Sequence, residues 1–213
     1  MKIVALSDLH GYLPDQVPAC DLLLLAGDLC PIENHAHGFH AEWLDTAFRR
    51  WLERVPARQV IGVAGNHDLL FEQAPELAPA GLRWTYLQDS GTTWQDVKIW
   101  GTPWQPWFFD WAFNGRPEQL QTIWAKIPDD TDILVVHGPP HGYGDGIPSR
   151  RGMRHTGCPH LLERIQQVQP RLVVFGHIHE GRGEWTLGKT TLANVTILNE
   201  EYDPVYSPWS CDW

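Results

Sequence analysis

KIVALSDLHG, residues 2–11, reads as a buried strand that delivers Asp8 and His10 past its carboxyl end. Ile3 to Leu6 are apolar without alternation, the pattern of a strand covered on both faces. DxH puts two donor side chains at i and i+2, so an extended backbone points both to the same side. The design recurs along the chain. DLLLLAGD (21–28) ends in Asp28, QVIGVAGNHD (59–68) in Asn66 and His67, DILVVHGPP (132–140) in His137, and RLVVFGHIH (171–179) in His177 and His179. Taken singly, each of these residues fits a helix cap, a turn or a satisfied buried histidine. Five strands ending alike point instead to one polar sheet edge, where open α/β sheets bind ligands.

Helical stretches separate the strands. In HAEWLDTAFRRWLERV (40–55), Trp43, Ala47, Trp51 and Val55 recur every four residues, opposite a face of Arg and Glu. PEQLQTIWAKI (117–127) and CPHLLERIQQV (158–168) repeat the pattern, each with Pro near its start. TTLANVTILN (190–199) adds strand without another helix. The alternation predicts an α/β fold in a single domain over 1–213.

The donor types specify chemistry. Asp28 offers two oxygens that can touch two cations. Asn66 offers a neutral carbonyl oxygen, and His67 beside it can stay unligated and carry a proton. Two prolines after His137 end the ladder abruptly and present the imidazole at the sheet edge. A mixed oxygen and nitrogen set suits Mn, Fe, Zn or Co rather than Ca.

SDLHG (7–11), AGDL (26–29), AGNHD (64–68), VVHGPP (135–140) and FGHIHEG (175–181), in that order, resemble the calcineurin-like metallophosphoesterase superfamily. GTPWQPWFFDWAFN (101–114), HGPPHGYGD (137–145) and TGCPHLLERI (156–165) look like its metallophosphoesterase-domain-containing branch, related to class III cyclic-nucleotide phosphodiesterases. The resemblance implies a four-layer αββα sandwich of two mixed β-sheets flanked by helices. It implies one metal held by Asp8, His10, Asp28 and His179, and another by Asp28, Asn66, His137 and His177, with Asp28 bridging. The cofactors expected are two divalent or mixed-valence ions, Mn²⁺ or Fe²⁺/Fe³⁺, with Zn²⁺ or Co²⁺ as alternatives.

Such a pair clamps a phosphate and activates a bridging hydroxide for in-line attack. His67 is the expected general acid, with Asn66 and Asp28 completing the catalytic set. Asp68 is expected to cap the helix that follows. Arg150, Arg151 and Arg154, a short loop beyond HGPP, form a basic cluster suited to phosphate, and His141 sits beside the motif. The aromatic run Trp104, Trp107, Phe108, Phe109, Trp111 and Phe113 could wall the cleft and stack on a base, although core packing is the simpler expectation. The histidines of HAHGFH (35–40) suit a lid-like loop better than a third metal.

A formal charge of −10 opposes long nucleic acid as a substrate but not a small nucleotide. No apolar run reaches the roughly 20 residues that a membrane span needs. Four scattered cysteines without CxxC spacing fit reduced thiols, and the start of the chain lacks the segments of a secretory signal, so the cytoplasm is the expected location. The reading is a phosphodiesterase acting on small or cyclic nucleotides, as a monomer or homodimer. A phosphomonoesterase or nuclease of the same superfamily is the enzymatic alternative, and a catalytically silent metal-binding scaffold is the alternative from another class.

Overall fold

The computed structural model describes residues 1–150 and 152–213. Along the chain, β1 (Lys2–Leu6), β2 (Cys20–Ala26), β3 (Ala57–Val63) and β4 (Thr85–Tyr86) run parallel in one sheet. A hairpin of β5 (Ser90–Trp94) and β6 (Val97–Thr102) opens a second sheet, and β7 (Gln105–Pro106) and β8 (Asn114–Gly115) make a small pair beside it. The second sheet continues with β9 (Ile133–Val136), and the hairpin β10 (Gly146–Ser149) and β11 (Gly152–His155) stands apart from both sheets. β12 (Leu172–Phe175), β13 (Gly183–Leu187) and β14 (Thr190–Asn194) complete the second sheet, in the order β13-β14-β12-β9-β6-β5. β15 (Trp209–Asp212) then returns to the first sheet and pairs antiparallel with β1.

The two sheets are mixed and stack face to face, with helices outside, and the strand sequences explain why. In β1, Ile3 and Ala5 pack with Leu22, Leu24, Ile133 and Val174 in the layer between the sheets. Val4 and Leu6, one residue out of phase, pack with Leu44, Phe48, Trp51 and Leu52 of the first helical layer. Likewise Leu134, Val136, Val173 and Phe175 meet Leu120, Trp124, Leu161 and Ile165 of the other helices. Strands buried on both faces need apolar residues at every position, which is why their sequences do not alternate. Among the described residues no helix is long and apolar enough to cross a membrane.

The helices largely follow the sequence pattern, with one correction. α1 (His37–Trp43) and α2 (Arg49–Arg54) are joined by a π-helical segment, Leu44–Phe48. That wider turn shifts the register, so Leu44, Phe48, Trp51, Leu52 and Val55 are buried while Trp43 and Ala47 are half-buried. The histidines of 35–40 therefore belong mostly to the start of a helix and not to a free loop. α3 (Leu69–Gln73), α4 (Pro117–Trp124) and α5 (Pro159–Val168) follow, the last two with Pro at their first position as the sequence indicates.

Candidate metal centre

The loops after β1, β2, β3, β9 and β12 meet at one end of the sandwich and bring Asp8, His10, Asp28, Asn66, His67, His137, His177 and His179 together. Tight turning there requires unusual backbone. Asp8, His10, Asp28 and His177 all take positive φ, between 44° and 70°, a region costly to residues with a Cβ and tolerated where function demands it. The approach is close as well: a Cβ at Gly65 would stand 2.2 Å from Asp28 Oδ1, and one at Gly176 would stand 2.1 Å from Asp8 Oδ2.

The donors converge in two groups. One nitrogen or oxygen each from Asp8, His10 and His179 lie within 4.8 Å of one another, and so do those of Asp28, His137 and His177. Asp28 links the groups, its Oδ2 being 3.7 Å from His10 Nε2 and 3.4 Å from His137 Nε2. Asn66 Oδ1 lies 2.8 Å from His137 Nε2 and 2.7 Å from His177 Nδ1. His67 also comes within ligand reach of His10 and Asp28. Supporting hydrogen bonds orient the rings. His137 donates Nδ1–H to the Ala26 carbonyl at 2.9 Å, and His179 donates Nδ1–H to the Asn199 carbonyl at 2.7 Å, which leaves Nε2 of each facing the carboxylates.

The buried carboxylates and imidazoles set one another's protonation: burial pushes His137 and His179 down, but Asp28 beside the first and Asp8 beside the second outweigh it and raise each to about 9. Burial pushes the Asp8 carboxyl up, but the hydrogen bond and charge of His179 outweigh it and hold the group at about 2. Asp28 is likewise raised by burial and drawn well below the usual carboxylate range by the charges of His137 and His67. Burial pushes His10 down to about 4 and His177 down to about 3, so both keep free lone pairs. Both ring nitrogens of His10 are buried without a hydrogen-bond partner. An imidazole so enclosed is costly, and a cation beside Asp8 and Asp28 would satisfy its lone-pair nitrogen. The residues present thus fit two transition-metal ions, and their mixed donors favour Mn, Fe, Zn or Co over Ca.

His67 is placed differently from the rest. Its backbone N–H donates to Asp28 Oδ1 at 2.7 Å, its Nδ1 lies 3.2 Å from His35 Nε2, and its ring packs 4.2 Å from that of Trp111. Burial and the neighbouring His67 charge lower the pKa of His35, and the ring contact through Nδ1 leaves Nε2 as the other nitrogen of His67. Nothing in the sequence singles out His35 and Trp111 for this contact. Asp68 makes no cap bond to α3. Its carboxylate instead accepts the backbone N–H groups of Leu29 at 3.0 Å, Cys30 at 2.8 Å and Gly65 at 2.8 Å, tying the Asp28 and Asn66 loops together.

A cavity of about 410 Å³ opens beside His177 and His179. Trp107, Phe108 and Tyr202 supply its aromatic walls, Arg154 and His155 a basic side, and Glu180 and Glu200 an acidic one. Core packing therefore fails for Trp107, Phe108 and Phe109, which are 56%, 46% and 70% exposed, although Phe113 is buried as expected. Of the expected substrate contacts, Arg154 reaches the cavity. Arg150 is exposed at the tip of the β10–β11 hairpin, His141 is exposed with Nδ1 3.6 Å from Asp145 Oδ2 and does not line the cavity, and Arg151 lies outside the described residues.

Residues 1–181 match the family model described as calcineurin-like phosphoesterase. Metallophosphoesterase domain-containing protein 1 of Homo sapiens is 38% identical over 234 residues, spanning 97% of this chain and 69% of that protein, and the Mus musculus protein of the same name matches equally. Among solved structures, the TT1561 protein of Thermus thermophilus is similar with a TM-score of 0.57 and 18% identity, covering 91% of this chain and 88% of that one. A putative 5'-nucleotidase from Staphylococcus aureus is similar with a TM-score of 0.54 and 13% identity, covering 91% and 48%. At such identities the structural likeness concerns the fold alone.

Proposed function

This chain belongs to the calcineurin-like phosphoesterase family and is a metal-dependent phosphoesterase, and from that premise we propose that it hydrolyses phosphodiesters of small or cyclic nucleotides at a dinuclear centre. The observation that carries the diester reading is the cavity running on from His177 and His179. Its aromatic side accommodates a second organic substituent on phosphorus. The net charge of −10 restricts the substrate to small molecules over long nucleic acid.

Asp8, His10, Asp28 and His179 would hold one ion, and Asp28, Asn66, His137 and His177 the other. Ions bound there supply Lewis acidity to the phosphoryl oxygens and acidify water for attack at phosphorus. The chain's own residues do the rest. The Ala26 and Asn199 carbonyls hold His137 and His179 in one tautomer. His35 and Trp111 hold the His67 ring, and its Nε2 gives a proton to the departing oxygen, an effect of about 10² to 10⁴ in rate.

The test is hydrolysis by Mn-loaded protein of bis-p-nitrophenyl phosphate against p-nitrophenyl phosphate, with 2′,3′-cAMP and 3′,5′-cAMP alongside. Faster diester cleavage is expected, lost in Asn66→Ala. Faster monoester cleavage would make the protein a phosphatase, and no turnover with two ions bound would leave it a scaffold.

A further inference from the structure

One wall of the cavity carries chemistry that this reaction does not yet use. His155, at the end of β11, lines the cavity with its side chain 48% exposed, and behind it lies Asp145, only 1% exposed. Asp145 Oδ1 accepts Nδ1–H of His155 at 2.7 Å. Its Oδ2 accepts the backbone N–H groups of Gly142 at 3.0 Å and Gly157 at 3.1 Å. Burial pushes this carboxyl up, but the bonds from His155 and the two amides outweigh it and keep the group below the usual carboxylate range. Among the described residues its ion-pair partners are histidines alone, His155 and, at 3.6 Å, His141.

The amide bonds suffice to tie the loop after β9 to the segment after β11, a tie reinforced by the Thr156 N–H donating to the Asp145 carbonyl at 3.0 Å. The half-exposed imidazole takes no part in that backbone closure. What the Asp145 bond does accomplish is to commit Nδ1, leaving Nε2 as the unpaired nitrogen of a ring on the cavity wall. A buried carboxylate used in this way holds the orientation of the ring, with Nε2 turned to the cavity.

We propose that His155 is a substrate-contacting residue and Asp145 its positioning residue, with His155 Nε2 donating a hydrogen bond to a non-bridging oxygen of the phosphate ester. The inference deepens the phosphoesterase reading and rests on it. As imidazolium, His155 donates from both nitrogens, one to Asp145 and one to the anion, and the second is a charge-assisted bond. Arg154, adjacent in sequence and on the same cavity, makes no ion pair among the described residues and supplies a second cation beside the first.

The experiment uses the full chain loaded with Mn for kinetics on bis-p-nitrophenyl phosphate, and the metal-free chain for imidazole ¹⁵N resonances during titration with inorganic phosphate. In wild type, phosphate shifts the His155 Nε2 resonance. His155→Ala raises KM about tenfold with kcat within about twofold, and its melting temperature is unchanged. His155→Gln, which keeps an N–H donor near the Nε2 position, recovers most of the KM. An unmoved resonance, an unchanged KM in His155→Ala, or a Gln variant as impaired as Ala would overturn the proposal. Should wild type cleave no phosphate ester, the phosphoesterase reading fails, while the phosphate titration still decides whether His155 meets the anion.

Discussion

A methyl group at Gly65 would stand 2.2 Å from Asp28 Oδ1 and 2.7 Å from His137 Cε1, so one hydrogen atom there keeps two donors in place. Gly65→Ala is expected to leave fewer than two Mn per chain by elemental analysis and to lower hydrolysis at least about 100-fold, as displacements near 1 Å do. A variant with full metal content and activity would show that Asp28 is free to shift. Asp68 bears on stability by another route. Its carboxylate serves three backbone N–H groups, of Leu29, Cys30 and Gly65, and it is fully buried. Asp68→Ala leaves them unsatisfied at about 1–3 kcal/mol each, so urea unfolding should show at least about 3 kcal/mol of lost stability. In the sequence Asp68 reads as a helix cap. The same composition serves either role, and only the position of residues 39 places away in sequence decides between them.

At the scale of elements, Asp145 ties together the two ends of the segment from His137 to Cys158 that carries the β10–β11 hairpin. Asp145 has a folded pKa below its ordinary value, so its contribution to stability is complete above the unfolded value and disappears as pH falls through the folded one. Asp145→Asn keeps one acceptor oxygen for the Gly142 and Gly157 amides and sets an NH2 donor against His155 Nδ1, or the reverse. It should cost about 1–3 kcal/mol at neutral pH, and the gap from wild type should close as pH falls below about 4, when the wild-type carboxyl also takes up a proton. Chemical denaturation at a series of pH values reads this directly, and a gap constant down to about pH 3 would contradict it. The helical layer carries a parallel lesson. Apolar spacing of four predicts a helix over 40–55, but the π segment Leu44–Phe48 turns a different set of side chains inward.

For the whole molecule, folding concentrates carboxylates. Asp8, Asp28 and Asp68 are buried at one end of the sandwich, in a chain of net charge −10. Ions bound there would stabilise the folded chain alone, so chelation should lower the melting temperature and Mn should restore it, a gain of about 2.7 kcal/mol in stability at a hundredfold excess over Kd. His137→Ala should blunt this response, and a melting temperature indifferent to both treatments would argue against bound metal. Much of this design is legible in one dimension. Strands buried on both faces are unbroken apolar runs, and the donors follow them within a few residues, so Asp8, His10, Asp28, Asn66, His67, His137, His177 and His179 can be selected together from their positions. β15 is not legible, because a four-residue edge strand draws its pairing from β1, at the other end of the chain, and not from its own composition. The same holds for His35 against His67 and for the aromatics Trp107 and Phe108 on the cavity. The sequence by itself determined the α/β class and the donor set, since both follow from local patterns of apolar and polar residues, and the layered sandwich came from the family resemblance of its motifs. Only the tertiary structure decided which other segments reach the sheet edge, His35, Trp107, Phe108 and the β10–β11 hairpin among them, because those contacts join segments that have no local reason to be near one another.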